Sequence, residues 1–259
     1  MASIAVGAEE APWEECSPEV NPIENSAILK EPHRLVFVYE GYTGYAPQWA
    51  KATRDHGREA KKSDSTIAYP LAFYYVVHQQ ILKNEAPQTY WLYFASHHAR
   101  MSTRCIARLA ALQLPGGKFH TIALVGFSNG AKAVAEIVRA LKDKHQVQVD
   151  LAFTIDPVPR VLELTGKVLR LAPDSGRRIV ASENVSRWVN HYENTDSTVQ
   201  GHEVRSPPGS DSLALNVLHE DLGKEAHFGG AIVRRAAPLV LEEILKLPEG
   251  RTSFRYFKE

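Results

Sequence analysis

Gly126-Phe127-Ser128-Asn129-Gly130 sets a serine between two glycines where an apolar stretch gives way to a helix-forming one. Before it, Thr121-Ile122-Ala123-Leu124-Val125 is the β-branched run of a buried parallel strand. After it, Ala131 to Leu141 carries Val134, Ile137, Val138 and Leu141 on one helical stripe. A serine at such a bend is driven into strained backbone, and side chains at the flanking glycines would collide with the strand and helix. The bend lifts the hydroxyl above the carboxyl end of a sheet, beside the amides of a helix N-terminus. G-x-S-x-G in this setting is the nucleophile-elbow signature, and the chemistry it serves is attack on an acyl carbon. An alcohol is a poor nucleophile at neutral pH, so a base and an orienting acid must come from elsewhere in the chain. The plain structural alternative is a glycine-rich turn carrying a solvated serine.

The elements that must hold these groups follow from the patterning. Residues 1 to about 32 read as an irregular arm rich in Pro, Glu and small residues, and 33–259 as a single domain. Strands are expected at Leu35–Tyr39, Gln88–Ala95, Thr121–Val125, Val149–Ile155 and Val185–Tyr192. Helices are expected over Pro70 to about Lys83, Ser102–Leu112, Ala131–Leu141, residues 160–172 and about Gly230–Leu247. A short helix is also expected within Gln48–Lys62, and Pro238 should kink the last helix or start a second one. Asn194–Gly223 reads as mostly loop, and 158–182 as a short lid or a covering helix. Strands alternating with helices predict an α/β fold, a mostly parallel central sheet with helices on both faces in three layers. Catalytic groups in such sheets collect at the carboxyl ends of the strands.

The bulk numbers remove several function classes. Thirty basic and thirty acidic residues leave no net field, so nucleic acid is not an expected partner. Apolar stretches such as Tyr69–Val77 are too short to span a bilayer, and no integral membrane segment is expected. The two cysteines, Cys16 and Cys105, lack metal-ligand spacing and read as free thiols, with one disulfide pinning the arm as the alternative. The opening residues lack the charged and apolar parts of a full signal peptide. A soluble, cytoplasmic protein is the default, with export as the alternative. No metal or nucleotide signature holds up, so no cofactor is expected.

Across roughly residues 34–247 the chain resembles the α/β-hydrolase fold superfamily, on the elbow motif and on the order of its elements. The resemblance implies a nucleophile on the elbow, an acid after a later strand and a histidine before the last helix. Ser128 takes the first role. His227, in Glu225-Ala226-His227-Phe228-Gly229-Gly230, stands where the family carries its base. His219 is its main competitor, His202 lies too far from the last helix, and His97 and His98 end a strand at the pocket mouth. For the acid, Asp156 ends the strand after the elbow unit, similar to thioesterase-type members, and Asp196 follows the next strand at the commoner family position. An apolar strand running straight into Asp156-Pro157 favours Asp156, although Asp-Pro is also an ordinary turn former. The oxyanion donors implied are the backbone N–H groups of Asn129 and Tyr42, with Glu40-Gly41 replacing the family's His-Gly pair. Gly41, Tyr45 and Phe127 are candidates for the substrate pocket. The aromatic set Tyr39, Tyr42, Tyr45 and Trp49 reads equally as core or as a pocket lining.

The expectation is therefore a serine hydrolase of the esterase, lipase or thioesterase type, acting on a small-molecule carboxylic ester or thioester through an acyl-enzyme. Two alternatives keep the fold. One is an acyltransferase using the same triad; the other is a non-catalytic binding protein in which Ser128 is a relic of the turn.

Overall fold

Arg34-Leu-Val-Phe-Val-Tyr39 (β1) is buried at all six positions, as a strand with layers on both faces must be. It anchors a computed structural model that describes residues 27–39, 88–94, 99–157, 160–165, 168–173, 179–193, 203–204, 211–215 and 230–254. Five further strands join it: β2 (Thr89–Phe94), β3 (Thr121–Phe127), β4 (Val149–Ile155), β7 (Val185–Glu193) and β8 (Asp211–Leu215). Between β4 and β7 come β5 (Arg160–Thr165) and β6 (Val168–Pro173), which pair only with each other. The six-stranded sheet has the order β2-β1-β3-β4-β7-β8, and every pairing in it is parallel.

Helices cover both faces. On one, α1 (Ala99–Ala111) and α2 (Asn129–Ala140) bury Ile106, Leu109, Val134, Ile137 and Val138 against Leu35, Phe37, Ile122 and Leu124. On the other, α3 (Gly230–Leu245) buries Ala236, Val240, Leu241 and Ile244 against Val36, Ala123, Val125, Leu151 and Phe153. Alternate residues of β1 feed the two clusters, as the two-residue period of a strand requires. The expected three-layer α/β architecture, a parallel central sheet with helices on both faces, is the observed one.

Four local expectations are corrected. Residues 160–172 are not helical: β5 and β6 form an antiparallel hairpin with Thr165 opposite Val168, a two-residue connection through Gly166-Lys167. Within Asn194–Gly223, read as loop, Asp211–Leu215 pairs with β7 as an edge strand. No second helix starts at Pro238, which lies inside one continuous element; Pro238 is exposed, so water can take the carbonyl its missing N–H leaves behind. Cys105, buried in α1, is disulfide-bonded and not a free thiol, and the chain's only other cysteine is Cys16. The expected helices in 48–62 and 70–83, and Cys16 itself, lie outside the described residues.

The amino edge of the sheet is fastened by buried polar groups. Arg251 donates through Nε to the His120 carbonyl at 2.8 Å, and its Nη1 lies 3.4 Å from Asp150 Oδ2. The Asp150 carboxylate also accepts the Ile122 amide at 2.8 Å. His120 Nδ1 accepts the His33 amide at 3.2 Å, which requires a neutral ring. Burial, with the neighbouring His33 and Arg251 adding to it, lowers the His120 pKa to about 4.

Candidate active site

The strand order reverses between β1 and β3: the chain passes from β1 to β2 on one side, then returns to β3 on the other. Ligands of open parallel sheets bind outside the carboxyl ends of the strands at such a point. Ser128 follows β3 there. Its backbone stands at φ 54°, ψ −119°, a conformation L-residues rarely occupy. It precedes α2 at the capping position, yet its hydroxyl makes no capping bond to the helix. A serine in that position ordinarily spends its oxygen on a first-turn amide. Here the oxygen is not so spent.

Gly126 explains how the bend closes. A Cβ at this position would lie 2.4 Å from the carbonyl oxygen of Gly130 and 2.7 Å from the amide nitrogen of Ala131. Only a residue without a side chain lets the end of β3 meet the first turn of α2. The Asn129 amide belongs to that turn, where the helix supplies no acceptor of its own. Phe127 points the other way and is buried in the α3-side cluster with Val125 and Ile155.

Asp156 stands beside Ser128. Phe127 is the register partner of Ile155, and Ile155 that of His191. One residue further on, the Ser128 amide donates to the Ile155 carbonyl at 2.9 Å and the Asp156 amide to the His191 carbonyl at 2.6 Å. The two candidates are thus the first residues past the same row of two adjacent strands. Asp156 is fully buried and also has positive φ, 47°. Asp adopts this region more readily than most residues because its side chain bonds locally.

The position of α3 bears on the base. Just past its carboxyl end, Leu247 accepts a bond from Arg34 Nε at 2.7 Å and Pro248 accepts one from Thr121 Oγ1 at 2.8 Å. Arg34 and Thr121 open β1 and β3, so this end of α3 sits at the amino edge of the sheet. The helix has 16 residues, about 24 Å. The Arg187–Glu243 ion pair, at 2.5 Å, ties its last turns to the start of β7. Its first residue, Gly230, therefore lies toward the carboxyl edge, where Ser128 and Asp156 stand.

His227, His219, His202, His97 and His98 lie outside the described residues, as do Asp196, Gly41, Tyr42, Tyr45 and Trp49. Tyr39 belongs to the core: it is fully buried, stacks on Phe94 at 5.4 Å and bonds to Ser102 Oγ at 2.6 Å. Among the described residues no group of three or more His, Cys, Asp or Glu is arranged to hold a metal ion. No helix of the described residues is long and apolar enough to cross a membrane.

Two features near the site were not singled out in the sequence. His191 is buried at the carboxyl end of β7, edge-on to Phe153 at 4.9 Å, and burial lowers its pKa against the opposing pull of the Glu243 carboxylate. Below it, Thr154, Trp188 and Asn190 join in a buried hydrogen-bonded cluster. Each is polar, or carries a polar atom, in strands otherwise rich in Val, Leu and Phe, and that is the one trace such a cluster leaves in the sequence.

No protein-family model matches the chain, and no curated protein matches it. Among solved structures it is similar to the product of gene lin2722 from Listeria innocua, at 11% identity and a TM-score of 0.41, covering 83% of this chain and 94% of that one. It is similar also to Est1E from Butyrivibrio proteoclasticus, at 11% identity and a TM-score of 0.35, covering 83% of this chain and 90% of that one.

Proposed function

We propose that the chain is a serine hydrolase cleaving a small-molecule carboxylic ester or thioester, with Ser128 as nucleophile, Asp156 as acid and His227 as base. The observation that carries the reading is the strained Ser128, whose hydroxyl makes no capping bond, one strand away from a fully buried Asp156. A solvated turn serine has no need of that strain, and a plain Asp-Pro turn has no need of a buried carboxylate. His227 is three residues from Gly230, which keeps it within about 11 Å of the start of α3. Asp196 is the alternative acid.

In this mechanism His227 takes the Ser128 proton through one ring nitrogen while Asp156 holds the other. Ser128 Oγ attacks the acyl carbon, and the oxyanion is held by the Asn129 amide and by a second amide from the loop after β1, Tyr42. Tyr39 is the register partner of Gly126, so the loop leaving β1 starts next to the elbow. His227 then protonates the leaving group. Water, deprotonated by the same imidazole, releases the acyl group from Ser128. Gly41 and Tyr45 line the pocket in this reading, Phe127 being taken up by the core, and the β5–β6 hairpin, which starts four residues after Asp156, serves as its cover. Acyl transfer to an alcohol or amine would use the same groups with a different final acceptor.

The test is hydrolysis of short p-nitrophenyl esters. Ser128→Ala should lower kcat by at least about 10⁴-fold with the fold intact, and Asp156→Asn by a comparable factor. An unchanged rate in Ser128→Ala removes the proposal.

A further inference from the structure

Thr154 lies two residues before Asp156, on the next-to-last row of β4 beneath the elbow, with Gly126 and Asn190 as its register partners. Its hydroxyl accepts the Trp188 indole N–H at 3.2 Å and donates to Asn190 Oδ1 at 2.8 Å, with the Val189 carbonyl further off at 3.4 Å. All three side chains are buried. Interior strands of parallel sheets are ordinarily filled by Val, Ile and Leu, and polar groups placed there must offset their own desolvation. β4 has only one other polar position between its amino end and Thr154, Asp150, and that one is used by the Arg251 anchor. The Thr154 cluster instead ties β4 to β7, directly below the point where the His191 carbonyl holds the Asp156 amide. A fully satisfied network in a low-dielectric interior fixes the groups it joins more rigidly than apolar packing does.

We propose that Thr154, clamped between Trp188 and Asn190, is a positioning residue for the Asp156 carboxylate. The cluster fixes the spacing of β4 and β7 one row before Asp156 leaves the sheet, and so fixes where the carboxylate meets the base. The inference rests on the hydrolase reading, with Asp156 as its acid. A triad needs its acid held to within about 0.5 Å of productive geometry. A carboxylate that drifts from the imidazole also stops favouring the imidazolium, which lowers the pKa of the base.

The experiment measures kcat, KM and the pH profile of kcat/KM for p-nitrophenyl butyrate with the full chain. Thr154→Val removes the hydroxyl at nearly equal volume. It should lower kcat by about 10- to 100-fold with KM little changed, and move the acid limb of kcat/KM to lower pH by about half a unit. Thr154→Ser, which keeps the hydroxyl, should restore both. In an Asp156→Asn background the Thr154→Val change should cost nothing further, because it acts through that carboxylate. Trp188→Phe, which removes one donor, should give a smaller loss of the same kind and decides the matter if Thr154→Val does not fold. A wild-type profile in Thr154→Val, or a loss that persists undiminished without the Asp156 carboxylate, overturns the inference and leaves the hydrolase reading standing. A wild-type protein as inert as Ser128→Ala overturns both.

Discussion

The Ser128 amide donates to the carbonyl of Ile155, the residue immediately before Asp156. One backbone bond therefore fixes the elbow of β3 against the end of β4, and both residues leave their strands with positive φ. Two neighbouring non-glycine residues in that region are costly for a turn that merely connects elements. The cost is understandable if it aims a hydroxyl and a carboxylate at a shared point.

That strain predicts opposite effects on stability and activity. Ser128→Gly should raise stability by about 1 kcal/mol, the relief of φ 54° and ψ −119° outweighing the extra entropy of glycine in the unfolded chain. The same variant should have no esterase activity. Thermal unfolding beside an ester assay checks both; a destabilised Ser128→Gly would show that the serine side chain contributes more to the fold than its backbone costs.

Gly126→Ala should lose at least about 2 kcal/mol of stability, since the added Cβ meets backbone atoms at 2.4–2.7 Å and no side chain there can yield. Denaturant unfolding measures this directly. Activity should fall with it, because any relief must move Ser128 or the first turn of α2.

The amino edge predicts an acid-sensitive fold. His120 is held near a pKa of about 4, below the ordinary histidine value of the unfolded chain. Above about pH 6.5 it is neutral in both states and its contribution is complete. As pH falls toward 4, the unfolded chain takes up a proton that the folded chain refuses, and about 3 kcal/mol is lost. His120→Asn keeps an acceptor for the His33 amide without titrating, and should flatten the decline of Tm between pH 6.5 and 4. An unchanged decline would assign the acid sensitivity to other groups.

Much of the sheet was legible because Leu35–Tyr39 of β1 and Ile122–Val125 of β3 are apolar runs, and β4 is apolar but for Asp150 and Thr154, as strands buried on both faces are. The elbow was legible because its chemistry and its turn geometry demand the same residues. The β5–β6 hairpin was not, because Val161, Leu164 and Val168 also fit a helical stripe; the deciding signal was the two-residue Gly166-Lys167 connection. β8 was missed because Asp211-Ser212-Leu213-Ala214-Leu215 is short and half polar, and becomes a strand through pairing with β7. The Thr154–Asn190–Trp188 cluster joins residues more than thirty positions apart, a relation created by register alone. Of the triad read from sequence, the structure brings Ser128 and Asp156 together, while His227 lies outside the described residues.

The most direct test is covalent labelling with a fluorophosphonate, followed by mass spectrometry of the modified peptide. One adduct is expected, on Ser128, absent in His227→Ala, strongly slowed in Asp156→Asn and unchanged in Asp196→Asn. An unlabelled Ser128 in folded wild-type protein, or labelling indifferent to His227, would contradict it.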